Sequence, residues 1–196
     1  MLTPYRMDTN SLYLTEQLNL LGVDVIFKSI VGDDLRRLVA AAQHTLFRSD
    51  IVIFSGGLGP TEDDVTREAV AEALGVTLRR DPEILSRLEQ RFAERGWKMA
   101  ANNAKQADVL DGATVLPNPN GTAPGQLLSG QFDGREHIII LLPGPPHELK
   151  ALFENEVRDR LRVKVPPAAL AIRTLKIAML GESAVDARVA PIYKRY

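Results

Sequence analysis

The sequence contains no cysteine, and that absence removes disulfides, thiolate metal sites and thiol catalysis together. Histidine is scarce, with three in 196 residues. His147 has no second histidine at ligand spacing, so it reads as a turn or capping residue rather than a metal ligand. No apolar run approaches the length of a membrane span, and the amino-terminal residues lack the apolar core of a signal peptide. A cytoplasmic location is the expectation from these absences. Lysine and arginine (24) almost balance aspartate and glutamate (25), so neither nucleic acid nor an acidic membrane is expected as a partner. A small molecule is expected instead. Walker A and the dinucleotide fingerprint are both missing, since no Gly-Lys-Ser/Thr follows the glycines and their spacing is wrong.

What is present is an ordinary globular balance, with 45% hydrophobic and 25% charged residues in a length that suits one α/β domain plus an appendage. The chain is organised around residues 51–75. Ile51 to Phe54 reads as a buried strand, Ser55 to Pro60 as a glycine turn, and the stretch to Gly75 as an amphipathic helix with Val65, Ala69, Ala73 and Leu74 on one face. Thr61 and Asp64 resemble a capping box that opens this helix, and Gly75 closes it. Gly56, Gly57 and Gly59 remove side chains that would hold a ligand away from the backbone, and a glycine turn before a helix suits an anion. Glu62, Asp63 and Asp64 qualify that reading. Carboxylates repel a phosphate unless a divalent cation lies between them, so a phosphate ligand here implies Mg²⁺ or a similar metal, and the alternative is a neutral heterocycle. Acids at a helix start also stabilise its dipole with no ligand at all.

The remaining segments follow the same alternation. Asp8 to Leu21 predicts a helix, and the β-branched run from Val23 to Ile30 predicts a strand that delivers Asp33 and Asp34 at its carboxyl end; either acid also suits the cap of a helix from Leu35 to Phe47. Pro82 to Arg95 predicts a charged helix with Ile84, Leu85, Leu88 and Phe92 inward. Asn102, Asn103, Lys105 and Gln106 form a short polar segment, and Lys105 is a candidate to neutralise phosphate. The loop from Pro117 to Gly125 is dense in proline and glycine and frames a pocket. Gln126 to Leu128 and His137 to Leu142 pair as a hairpin around Asp133-Gly134, and Pro143-Gly144-Pro145-Pro146 then turns into a helix reaching about Leu161. From Pro166 the character changes, with a strand predicted over Leu170 to Met179 and a short helix after Gly181. One strand and one helix cannot bury a core, so residues 166–196 read as the start of a small α+β second domain after a first domain over 1–165.

Four separated motifs carry a family resemblance. They are Gly56-Gly57-Leu58-Gly59-Pro60-Thr61-x-Asp63-Asp64-x-Thr66, Asn103-x-Lys105-Gln106-Ala107, Asn118-Pro119-x-Gly121-Thr122-Ala123-Pro124-Gly125, and Leu142-Pro143-Gly144-Pro145-Pro146. In this order they resemble the amino-terminal domain of the competence/damage-inducible protein CinA, part of the wider molybdopterin-binding (MoaB/MogA-like) fold. The resemblance implies a three-layer α/β/α domain with a mostly parallel sheet, a nucleotide or pterin ligand at the carboxyl strand ends, and a homodimer. In the CinA branch it implies an ADP-ribose pyrophosphatase that uses a divalent metal (Mg, Mn or Co); in the cofactor branch it implies molybdopterin binding. By motif match Asp33 and Asp64 align with two functional aspartates, and Gly56, Gly57 and Gly59 with a glycine loop. Asp63 stands where the cofactor branch tends to carry arginine, which favours the metal-using branch. The expected site is therefore Asp33, Asp63 and Asp64 on the metal, with Asp33, Asp64 and Lys105 in the chemistry. Gly56, Gly57, Leu58, Gly59, Thr61, Asn103, Gln106, Asn118, Gly121, Thr122, Ala123, Pro143 and Gly144 are expected around the substrate.

Overall fold

In the computed structural model, which describes residues 7–166 and 175–195, a four-stranded sheet lies between two helical layers. The strands are β1 (Ile51–Ser55), β4 (Thr114–Leu116), β5 (Gly125–Phe132) and β6 (Arg135–Leu142), in the order β1-β6-β5-β4. β1 and β6 run parallel, with Ser55 opposite Leu142, while β5 is antiparallel to β6 and to β4. The predicted hairpin is β5–β6, turned through Asp133 and Gly134, both at positive φ. β2 (Leu78–Arg80) and β3 (Asp108–Leu110) form a separate antiparallel pair.

β6 explains the layering. His137 to Leu142 is buried throughout, which an antiparallel surface strand would not show, and the period of two divides it between two cores. Ile138, Ile140 and Leu142 point into a cluster with Leu14 and Leu18 of α1 (Thr9–Leu20) and with Leu149, Leu152, Phe153, Val157 and Leu161. Ile139 and Leu141 point the other way, onto Leu58, Leu110, Leu128 and the Val70 and Ala71 of α3 (Thr66–Leu74). Each such Leu or Ile contributes about 1.5–3 kcal/mol, so the two faces together hold the sheet as a central layer. The α/β class expected from sequence is the class observed. α2 (Leu35–Arg48) packs on α3, and α4 (Pro82–Glu94) packs through Ile84 and Leu88 against Ala107 and Val109.

Helix starts follow local capping chemistry. Asp8 accepts from the Ser11 amide at 3.0 Å, Asp34 from the Arg37 amide at 2.9 Å, and Asp81 from the Glu83 and Ile84 amides. The helix after Pro145 runs as α5 (Pro146–Leu152) and α6 (Arg158–Lys164), joined by a π-helical turn over Phe153–Val157.

Three expectations need correction. Val23 to Ile30 is not a strand, because no ladder partner lies beside it among the described residues; most of the segment is exposed, Ile26, Phe27 and Ile30 included, and hydrogen bonding, not a β-branched pattern, makes a strand. Thr61 and Asp64 do not open a helix. Asp64 accepts from the Thr61 amide within a tight turn, and α3 begins at Thr66, whose amide and hydroxyl bond instead to the carbonyls of Gly57 and Gly56. The predicted strand Leu170 to Met179 falls partly outside the described residues, and its part from Leu175 to Met179 has no regular structure. α7 (Glu182–Tyr193) follows and buries none of its side chains.

Candidate functional site

Three loops meet at one end of the sheet, and the strand register puts them there. β1 ends at Ser55 opposite Leu142, and the Gly56 amide continues the ladder to the Leu142 carbonyl at 2.9 Å. β5 starts at Gly125, next to Gln126, which is paired with Leu141. The glycine turn, the Asn118–Gly125 loop and the Pro143–Pro146 turn therefore share the carboxyl edge of β1 and β6, where open α/β sheets place ligands. A Cβ on Gly144 would sit 3.4 Å from the Gly56 Cα, so the two backbones touch here. Gly56 holds φ 93° and Gly57 φ 70°, values that side chains rarely adopt.

Two of the glycines serve the loop's own side chains. A Cβ on Gly57 would collide with the Thr66 hydroxyl, and one on Gly59 with the Asp64 carboxylate. Beneath the turn lies Arg67, fully buried, donating to the carbonyls of Leu58 at 2.7 Å and Gly59 at 3.1 Å. Burial lowers its pKa, with Glu68, Asp108 and Asp64 pulling in the opposite sense. Nothing in the sequence pattern singles out Arg67, which sits on a helix face whose neighbours are apolar.

The acids are arranged around one hydroxyl. Thr61 Oγ1 lies 2.5 Å from Asp63 Oδ1 and 2.6 Å from Asp64 Oδ2, and Asp64 Oδ2 also accepts from the Thr61 amide at 2.9 Å. Hydrogen bonding from Thr61 and from the backbone holds Asp63 below the usual carboxylate pKa. A hydroxyl has one proton, so two carboxylates cannot both be fully satisfied by it. Lys105, on the 3₁₀ helix Ala101–Ala107, donates to the Asp64 carbonyl at 2.7 Å and the Thr61 carbonyl at 3.1 Å, and lies 3.4 Å from Glu68. Its ammonium is thereby engaged within the loop and acts as a clamp on the acid-bearing turn.

The other expected residues divide. Asn118 donates to the Ala123 carbonyl at 2.9 Å and to Glu148 at 2.7 Å, and Gly121 gives the Glu148 carboxylate the space a Cβ would fill. Glu148, which sequence reasoning missed as a site residue, thus joins the Thr122-containing loop to the Pro143–Gly144 turn. Asn103 and Gln106 bond to each other at 3.0 Å, with Gln106 buried. Asp33 is exposed, two residues past Val31, and Asp34 beside it is the cap of α2. Among the described residues no group of three or more His, Asp or Glu comes together as a metal cluster. Asn10 is a further omission: its amide donates to the Gly144 carbonyl at 2.8 Å, and its Oδ1 is buried without a partner.

Residues 1–163 match a family profile described as "Probable molybdopterin binding domain". A CinA-like protein of Koribacter versatilis is 56% identical over 196 residues, covering 100% of this chain and 47% of that protein. A putative competence-damage inducible protein of Symbiobacterium thermophilum is 49% identical over 91% of this chain and 42% of its own length. The chain thus spans about half the length, or less, of these relatives. Among solved structures, the CinA protein of Thermoplasma acidophilum, described as of unknown function, matches with a TM-score of 0.70 at 32% identity over 79% of this chain and 88% of that one. A molybdopterin biosynthesis protein from Mycobacterium abscessus shares the fold at 18% identity and a TM-score of 0.50, over 82% of this chain and 86% of that one.

Proposed function

Because the chain belongs to the family of probable molybdopterin-binding domains, among its CinA-like members, we propose that it is a metal-dependent hydrolase of ADP-ribose or a related nucleotide diphosphate. The observation that carries this reading is the convergence of Asp63 and Asp64 on the single hydroxyl of Thr61 at the mouth of the glycine turn. Two carboxylates sharing one hydroxyl proton leave oxygen lone pairs unmet, and this pair of hard oxygen donors suits a divalent cation rather than an organic anion alone. The donor set is all oxygen and fits Mg²⁺, Mn²⁺ or Co²⁺. Such cations are commonly held by one or two carboxylates with substrate phosphates completing the shell, so the Asp63–Asp64 pair is the core of the proposed site and Asp33 is its third proposed ligand.

The roles of the chain's own residues follow from their contacts. Asp63 and Asp64 would hold the metal, with Thr61 between them; when bound, the metal supplies charge neutralisation of the diphosphate and acidity to a water. Lys105 holds the Thr61 and Asp64 carbonyls so that the two acids keep their mutual spacing. Arg67 fixes the Leu58 and Gly59 carbonyls and puts a positive charge beneath the turn that would receive phosphate. The Gly56–Gly144 contact leaves the cleft floor without side chains, so a flat or charged group can reach the backbone. Asn10 Oδ1, unpartnered at that floor, suits a donor N–H of a base.

A second reading is a pterin- or nucleotide-binding module without turnover, favoured by the lack of a three-ligand cluster among the described residues. Incubation of the purified chain with ADP-ribose and each of Mg²⁺, Mn²⁺ and Co²⁺, with AMP followed by chromatography, separates the two. AMP formation that requires the cation supports the hydrolase; measurable ADP-ribose affinity with no AMP under any cation favours the binding module. The same reading expects a homodimer, checked by light scattering.

A further inference from the structure

The loop from Asn118 to Gly125 is tied down twice, and the outer tie is made by a residue that takes no part in the contacts described above. Arg91, half-buried near the end of α4, donates from its guanidinium to the Gly121 carbonyl and, at 3.5 Å, to the Pro119 carbonyl. It makes no ion pair among the described residues, whereas Arg87, one turn earlier on the same helix, pairs with Glu83 at 3.5 Å. At the same Gly121 a Cβ would collide with the Glu148 carboxylate and the Asn118 amide. The inner and outer ties therefore meet at one residue.

Packing alone does not hold the loop against the helix. Between them lies a cavity of about 390 Å³, lined by Ile84, Leu88, Pro117, Pro119 and Thr122. The anchor itself is firm, because Ile84 and Leu88 of α4 are buried in one cluster with Ala107 and Val109. A guanidinium suits such a span, since its planar fork reaches two acceptors at once, while an ammonium is a point charge on a flexible stem.

The consequence falls on the next peptide unit. Every described peptide bond is trans, and in a trans peptide the carbonyl of one residue and the N–H of the next point in opposite directions. Holding the Gly121 carbonyl on α4 thus aims the Thr122 N–H away from α4. Among the described residues that N–H has no hydrogen-bond partner, unlike the Asn120 amide, which donates to Asn118 Oδ1 at 3.1 Å. A backbone donor that is free and fixed in direction, in a loop at the carboxyl edge of the sheet, is available to a ligand.

We propose that Arg91 is a positioning residue: by fixing the Gly121 carbonyl it presents the Thr122 amide to a phosphate oxygen of the bound nucleotide diphosphate. The inference rests on the nucleotide-diphosphate reading above and adds a donor to it. Phosphate is the partner that gains most from such an amide, because hydrogen bonds to a charged acceptor are roughly twice as strong as neutral ones. Arg91 acts through the loop, its guanidinium being engaged on the α4 side.

The test compares the parent with Arg91→Met, which keeps the stem and removes the donors, and with Arg91→Lys, which keeps the charge and loses the fork. Backbone order parameters are measured by NMR relaxation without ligand, and affinity for a non-hydrolysable ADP-ribose analogue by titration calorimetry with Mn²⁺. In Arg91→Met the order parameters at Gly121 and Thr122 are expected to fall from about 0.85 to below about 0.6 while those of α4 stay at about 0.85. Affinity is expected to fall about tenfold, the scale of one hydrogen bond to a charged acceptor, with Arg91→Lys between the parent and Arg91→Met. Parental affinity in Arg91→Met overturns the proposal. So does weaker affinity with unchanged order parameters at Gly121 and Thr122, since the effect would then bypass the loop. Parental affinity in Arg91→Lys also overturns it, because positive charge alone would then account for the effect. A parent that does not bind the analogue shows instead that the nucleotide reading is wrong, and overturns both.

Discussion

Replacing Asp64 by asparagine separates a ligand role from a structural one. In the structure Asp64 Oδ2 accepts from the Thr61 amide at 2.9 Å and the Thr61 hydroxyl at 2.6 Å, while α3 starts only at Thr66. Asparagine keeps an acceptor at that place, so the turn persists with weaker, uncharged hydrogen bonds, at a cost of about 1 kcal/mol. Relief of repulsion from Asp63 offsets part of that, and the helix dipole adds at most a few tenths because Asp64 precedes the helix. A chain of this size should lose roughly 2–4 °C in Tm. ADP-ribose turnover should fall much further, by about a hundredfold or more, equivalent to roughly 2.7 kcal/mol of transition-state stabilisation. Because the defect lies in cation affinity, raising Mn²⁺ should partly restore the rate. The assay is AMP release against cation concentration for Asp64→Asn beside the parent, with Tm measured on the same preparations. A variant with the parental rate and parental metal dependence refutes the reasoning, and the acids then serve only the turn.

Gly57→Ala should destabilise the chain by roughly 1–3 kcal/mol, because φ 70° strains any side chain and the new Cβ meets the Thr66 hydroxyl; an unchanged chemical denaturation midpoint would contradict this. Lys105→Met should speed hydrogen exchange over residues 61–64 and raise the cation concentration needed for turnover, and unaltered exchange there would show that the clamp is dispensable. Tyr13, half-buried and donating to Glu154 at 2.9 Å, has its pKa pushed up to about 12 by desolvation first and the Glu154 hydrogen bond second. A raised folded value means that its contribution is complete below the ordinary value of 10.0 and is lost as pH rises through about 12. Ultraviolet titration of the parent against Tyr13→Phe should therefore remove a phenol that ionises above the others, and a difference spectrum centred near the ordinary value would count against it.

The layers were legible because they rest on periodicity: β6 reads as a continuous apolar run, α4 as a stripe, and Asp133-Gly134 as a turn whose positive φ both residues tolerate. The hairpin and the helix starts at Asp8, Asp34 and Asp81 follow from short-range chemistry. Val23 to Ile30 was misread because β-branched composition reports a propensity, whereas a strand also needs a neighbour, and no local signal shows whether a neighbour is there; the segment is in fact mostly exposed. The capping box failed for a related reason: Thr66 is drawn to the Gly56 and Gly57 carbonyls, a contact ten and nine residues away that shifts the helix start past the acids. Arg67, Asn10 and Glu148 were invisible as site residues. A buried guanidinium on carbonyls 58 and 59, an amide on carbonyl 144 and a carboxylate against Gly121 are all products of tertiary approach. The glycines were seen correctly as a motif, but two of them admit Thr66 and Asp64 from the chain itself, which only side-chain positions reveal.

The central claim is that Asp63 and Asp64, with the diphosphate of the ligand, hold one divalent cation at the glycine turn. Mn²⁺ binding followed by electron paramagnetic resonance, with and without a non-hydrolysable ADP-ribose analogue, addresses it directly. One Mn²⁺ per chain is predicted, bound much more tightly when the analogue is present, and lost in the Asp63→Asn/Asp64→Asn double variant whose fold is verified by circular dichroism. Mn²⁺ binding that is indifferent to the analogue, or that persists in the double variant, would contradict it.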